Sequence, residues 1–101
     1  MIFETLITQG DVVTEKGIEA LDIAIHDGRI AALLPRGSQV EAQTRIDAAG
    51  ALVIPGAIDI HFHCRAPAYP DRGDFATETR AAAAGGVTTI FEMPISKPCC
   101  A

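Results

Sequence analysis

The sequence predicts an α/β chain in two parts: a small antiparallel β unit over residues 1–54, then the first β-α-β unit of a larger α/β barrel over residues 55–101. Three observations predict it. Short apolar stretches with period-two alternation, separated by turn signals, fill the first half. The style changes at Pro55-Gly56. After that point an Ala-rich helical run lies between two β-branched apolar stretches, the pattern of a parallel crossover.

Phe3 to Thr8 reads as the first strand, and Gly10-Asp11 as a turn before Val12 to Thr14 resumes extended structure. Glu15-Lys16-Gly17 is a second turn. From Ala20 to His26 the residues alternate, with Leu21, Ile23 and Ile25 on one face and Asp22, Ala24 and His26 on the other, as in a half-buried strand. Asp27-Gly28 is a strong hairpin signal because Gly tolerates positive φ. Arg29 to Leu34 is the return strand and Pro35 to Val40 a loop; Thr44 to Ile46 and Ala51 to Ile54 are two more short strands. In the second half, Ala57 to Phe62 reads as a buried strand and Arg65 to Gly73 as a loop. Asp74 can cap a helix from Phe75 to Ala84, whose alanines favour helix. Gly85-Gly86 stops that helix, and Val87 to Met93 is a second buried strand.

Composition narrows the classes. Apolar residues at 49% and charged residues at 21% suit a soluble globular chain. No stretch reaches the roughly 18–20 apolar residues of a membrane helix, and Glu4 interrupts an N-terminus that has no basic region before an apolar core, so no secretory signal is expected. A net charge of −5 with scattered basic residues argues against nucleic acid as a partner. Cys64, Cys99 and Cys100 make an odd set, and adjacent cysteines bridge poorly. They read as free thiols in a reducing cytoplasm.

The chemistry concentrates in Asp59-Ile60-His61-Phe62-His63. Residues two apart on a strand share a face, so His61 and His63 can grip one cation together. Imidazole suits zinc and neighbouring divalent metals. Asp59 has the same parity and is placed to orient a ring as an outer-shell acceptor. The bland alternative is a pair of buried, hydrogen-bonded imidazoles, for which a strand of Ile and Phe has little use. Two ligands do not complete a hydrolytic zinc site, which takes about three. His26 reads as a solvent-facing hairpin residue, and Cys64 as packing on the opposite face from His63.

Residues 55–63 resemble the first barrel strand of the amidohydrolase superfamily. The run from Thr79 to Ile90, followed by Glu92-Met93-Pro94, resembles its cyclic-amide branch: allantoinase, dihydropyrimidinase (hydantoinase) and dihydroorotase. Ile25 to Ile30 with Ile46 to Gly50 is similar to that branch's small β-sandwich. The resemblance implies a TIM-like (β/α)8 barrel preceded by part of an accessory β-sandwich. It implies two divalent metals, usually zinc, with His61 and His63 as ligands of one. A bridging carboxylated lysine, two further histidines and a late aspartate complete the family's site. A metal-bound hydroxide there attacks the ring amide, with the aspartate moving the proton. Lys16 and Lys97 do not stand where the bridging lysine belongs, so no residue here is assigned catalysis itself. The chain is expected to be an N-terminal piece, inactive alone, of a homo-oligomeric enzyme acting on a small cyclic amide or ureide.

The branch members differ at a few positions. Arg65 matches the arginine with which dihydroorotase-like sequences bind a substrate carboxylate, a role its fork suits; a surface ion pair is the other reading. Ile95 stands where that group has Asn, and Glu92-Met93-Pro94 is closer to allantoinase, which usually has Asn at the position of Arg65. The reading leans to an allantoinase- or hydantoinase-like hydrolase. Two alternatives are a non-catalytic assembly subunit and a mono-metal deaminase or deacylase of the same superfamily.

Overall fold

A computed structural model of the chain describes residues 2–63 and 75–93. The chain divides into two compact units, Met1–Pro55 and Gly56–Ala101. By element the described residues are mostly β, with eight strands and one helix.

In the first unit, β3 (Gly17–His26) organises everything else. It is long enough to pair with three strands. Its second half pairs antiparallel with β1 (Phe3–Thr8), Thr5 opposite Ile25 and Ile7 opposite Ile23. Its first half pairs antiparallel with β2 (Asp11–Thr14), Asp11 opposite Ala20. Its other edge takes β4 (Arg29–Pro35) through the Asp27-Gly28 hairpin. Both turn residues have positive φ, 51° and 70°, as the tight hairpin requires.

The unit is not purely antiparallel. β5 (Ala42–Asp47) runs parallel to β1, and β6 (Leu52–Val53) parallel to β2. The reason is the route of the chain. After β4 it crosses to the free edge of β1 and then follows β1 and β2 in their own direction. Between β5 and β6 the Asp47 carboxylate accepts the Ala49 N–H at 2.9 Å, and Gly50 takes φ 79°. Gly10 lets this turn approach, since a side chain there would strike Val53 and Ala48.

Asp22 corrects the simple alternation expected of β3. Leu21 and Ile25 are half-buried, whereas Asp22 and Ala24 on the opposite face are fully buried. Asp22 lies where the pairing with β1 ends and that with β2 begins. Its two oxygens accept the Gln9 N–H at 3.2 Å and the Gly37 N–H at 2.9 Å. Gln9 is itself left-handed, φ 64°. A carboxylate with both oxygens engaged can be buried at this break where a bare one could not. Beside it, the Arg36 guanidinium bonds the Gly10 carbonyl at 2.5 Å and the Asp11 carboxylate at 2.8 Å. His26 is also corrected: its side chain is only 31% exposed, and its Nδ1 is buried. Leu6, Val12, Ile23 and Ala24 form the small apolar core.

In the second unit, β7 (Ala57–Phe62) and β8 (Val87–Glu92) pair parallel, joined through α1 (Phe75–Ala84), which packs on β8. The helix ends as its glycines demand. Gly86 adopts φ 92°, and its N–H donates to the Ala83 carbonyl at 3.0 Å. The sheet is tied by Ala57 N–H to the Gly86 carbonyl at 2.9 Å and by Met93 N–H to the Phe62 carbonyl at 2.7 Å. The two strands are apolar but not buried as expected. Ile58, Ile60 and Phe91 are 63%, 66% and 57% exposed. Two strands and one helix cannot cover both faces of such a sheet. No helix among the described residues is long and apolar enough to cross a membrane.

Candidate metal centre

β7 carries the candidate ligands to its C-terminal end, the end at which parallel α/β sheets present their ligand-binding groups. His61 is the fifth residue of the strand, and His63 follows its last. The extended backbone sends both imidazoles to one side, and they converge. Their Nε2 atoms stand 3.2 Å apart, with ring centroids at 4.9 Å and the rings nearly perpendicular, at 82°. His61 is exposed and His63 half-buried.

The spacing tests whether a metal fits. Two nitrogens on one tetrahedral zinc, each at about 2.0–2.1 Å, stand roughly 3.3 Å apart. The observed separation is what that donor pair needs, and a ring-to-ring hydrogen bond accounts for it equally in the bare protein. His63 Nδ1 is buried and has no partner among the described residues, so this ring spends none of its capacity on the Nδ1 side. Donor type, spacing and common direction all fit a borderline divalent cation.

Asp59 is half-buried on the same strand, and its Oδ1 accepts the His61 backbone N–H at 3.0 Å. Here its carboxylate holds the main chain at the first histidine. Gly56 sets where the strand begins, because any side chain there would overlap that of Thr88 on β8. Arg65 and Cys64 lie outside the described residues, as do Asp74, Lys97, Cys99 and Cys100. The first unit contains an apolar groove of about 470 Å³ lined by Val12, Ile23, Leu33 and Val53 among others. It carries none of these groups.

No family model matches the chain. Individual relatives do. Over 98 residues, 96% of the chain, it is 40% identical to an L-hydantoinase of Paenarthrobacter aurescens. The same figures hold for an allantoinase of Escherichia coli O1:K1 / APEC. Over nearly its whole length the chain is similar to cyclic amidohydrolases. It spans about a fifth of the length of the curated relatives it matches, 21% in both cases. The solved L-hydantoinase (dihydropyrimidinase) from Arthrobacter aurescens superposes with a TM-score of 0.88 at 39% identity, over 97% of this chain and 22% of that one. A more distant amidohydrolase relative, the N-acyl-D-glutamate deacylase from Bordetella bronchiseptica complexed with zinc and a phosphonate inhibitor, superposes at 0.68 with 28% identity, over 89% and 18% of the two chains. The cyclic amidohydrolase likeness therefore covers both units, from the β3–β4 hairpin to the strand that carries the histidines.

Proposed function

We propose that this chain supplies the first metal ligands of a hydrolase that opens a cyclic amide or ureide ring, allantoinase- or hydantoinase-like, with dihydroorotase chemistry as a variant. The observation that carries the proposal is the convergence of the His61 and His63 Nε2 atoms to 3.2 Å at the C-terminal end of β7. In this reading residues 55–101 open a (β/α)8 barrel, and residues 1–54 form part of an accessory β-sandwich. The bridging lysine, two more histidines and the aspartate come from sequence beyond these residues, consistent with relatives about five times as long.

His61 and His63 act as nitrogen donors to one divalent metal, zinc in the first instance, with a second metal in the complete enzyme. When bound, the metal supplies polarisation of the amide carbonyl and activation of water. Asp59 holds the strand at His61, and in the proposal it also steadies a ring. Arg65 receives a substrate carboxylate where the substrate has one. The protein works in the cytoplasm as a homo-oligomer on small substrates, and these 101 residues alone do not turn over.

The test uses the full-length protein. Divalent metal content is measured alongside hydrolysis of allantoin, hydantoins, dihydrouracil and dihydroorotate. Two metals per chain with ring opening of one of these, abolished by His61→Ala, supports the reading. A full-length protein free of divalent metal, or a His61→Ala variant with undiminished turnover, sinks it. The deacylase likeness favours a second reading, a mono-metal deacylase. One metal per chain with hydrolysis of an N-acyl-D-amino acid and no ring opening would select it.

A further inference from the structure

Outside β7, one group of the described residues brings three metal-ligating side chains together: Glu4, His26 and Asp27, with one donor atom from each lying within 4.8 Å of the others. They are far apart in sequence but close by register. β1 and β3 pair antiparallel with Thr5 opposite Ile25, so continuing the ladder by one residue sets Glu4 beside His26. Asp27 follows in the hairpin. Its positive φ of 51° turns the chain there, and its Oδ2 lies 3.9 Å from His26 Nε2.

The imidazole is the informative member. His26 Nδ1 is buried without a hydrogen-bond partner, and only 31% of the side chain is exposed. Among the described residues the ring's one polar contact is with Asp27, at an ion-pair distance too long for a hydrogen bond. The Glu4 carboxylate has no hydrogen-bond or ion-pair partner among the described residues either. Two carboxylates and one imidazole nitrogen, held on two paired strands and a turn, lie close enough together for one cation to bridge them.

We propose that Glu4, His26 and Asp27 form a second divalent-cation site, separate from the His61–His63 pair and independent of the proposed hydrolysis. One nitrogen and two carboxylate oxygens suit zinc or a neighbouring transition metal, with water completing the shell. Two of the three donors sit on rotatable carboxylates, so the group closes onto an ion without moving the sheet. Bound there, the ion ties the β3–β4 hairpin to the start of β1.

The chain has three histidines, so His61→Ala with His63→Ala leaves His26 as its sole imidazole. Changing Cys64, Cys99 and Cys100 to Ser removes the thiols that would compete. This 101-residue chain is titrated with zinc chloride while the His26 ring resonances are followed by NMR. The expected result is a saturable shift at one zinc per chain, weakened at least about tenfold by Glu4→Gln and by Asp27→Asn. Unchanged amide resonances along β1 and β3 in each variant show that the sheet persists. If one variant loses the sheet, the other carries the comparison, since Glu4 and Asp27 stand on different elements. An unmoved His26 resonance at millimolar zinc overturns the site, as does equal affinity in a variant whose sheet is intact.

Discussion

Asp22 shows how much one side chain decides in so small a core. The residue is 1% exposed, and its carboxylate answers two backbone amides from separate turns, Gln9 and Gly37. Asp22→Ala orphans both donors and is expected to cost about 2–4 kcal/mol in urea melts followed by circular dichroism. Asp22→Asn keeps one acceptor and is expected to cost less than the alanine change. At the other end of the chain, His61 and His63 are the residues on which the proposed chemistry turns. Asp59→Asn in the full-length protein is expected to weaken metal affinity by roughly 10–100-fold if it steadies a ring, and His61→Ala by more. Competition with a chromophoric chelator measures both. Equal affinity in Asp59→Asn and wild type would confine Asp59 to holding the backbone at His61. The histidines were legible as a pair because strand parity alone aligns residues two apart. Asp22 was not legible, because the sequence shows a polar residue on an alternating strand and nothing of the two amides that turn to meet it.

Elements were read best where local chemistry is sufficient. The helix Phe75–Ala84 falls at its expected bounds because alanines start no conflict and two glycines end it. The Asp27-Gly28 hairpin forms where its turn residues stand. Gly28→Ala, at φ 70°, is expected to cost about 1–2 kcal/mol, read as a lowered urea midpoint. Strand partnership was read less well. The sequence pattern predicts an antiparallel unit, yet β5 and β6 each run parallel to a neighbour, because direction depends on which free edge a loop reaches. The start of β7 depends on a similarly distant contact. Gly56→Ala drives a methyl into Thr88 and is expected to cost about 1–3 kcal/mol, with faster amide exchange at Ala57, whose N–H bonds Gly86. Adding Thr88→Ala is expected to recover part of that loss, a coupling that a double-mutant cycle reads directly.

Across the whole molecule, apolar surface is the dominant feature. Among the described residues four form the apolar core, whereas Ile18, Ile30, Leu52, Ile54, Ile58 and Ile60 are all more than half exposed. Exposed apolar area on this scale drives association. The 101 residues by themselves are expected to bind a hydrophobic dye and to self-associate with rising concentration in sedimentation, with Ile58→Ser and Ile60→Ser together reducing both. A longer protein in which these faces are covered is expected to do neither.

Taken by itself, the sequence determined what is local: the turns, the helix and its ends, the strand positions, and the alignment of His61 with His63. It also carried the likeness to cyclic amidohydrolases, because the residues of the Asp59-to-His63 motif lie close together. Only the tertiary structure decided what depends on distant partners. It placed Asp22 in the core, set the parallel course of β5 and β6, and brought Glu4 to His26 across a ladder. Each is a meeting of residues more than ten positions apart, fixed by register and loop route, which no local pattern records.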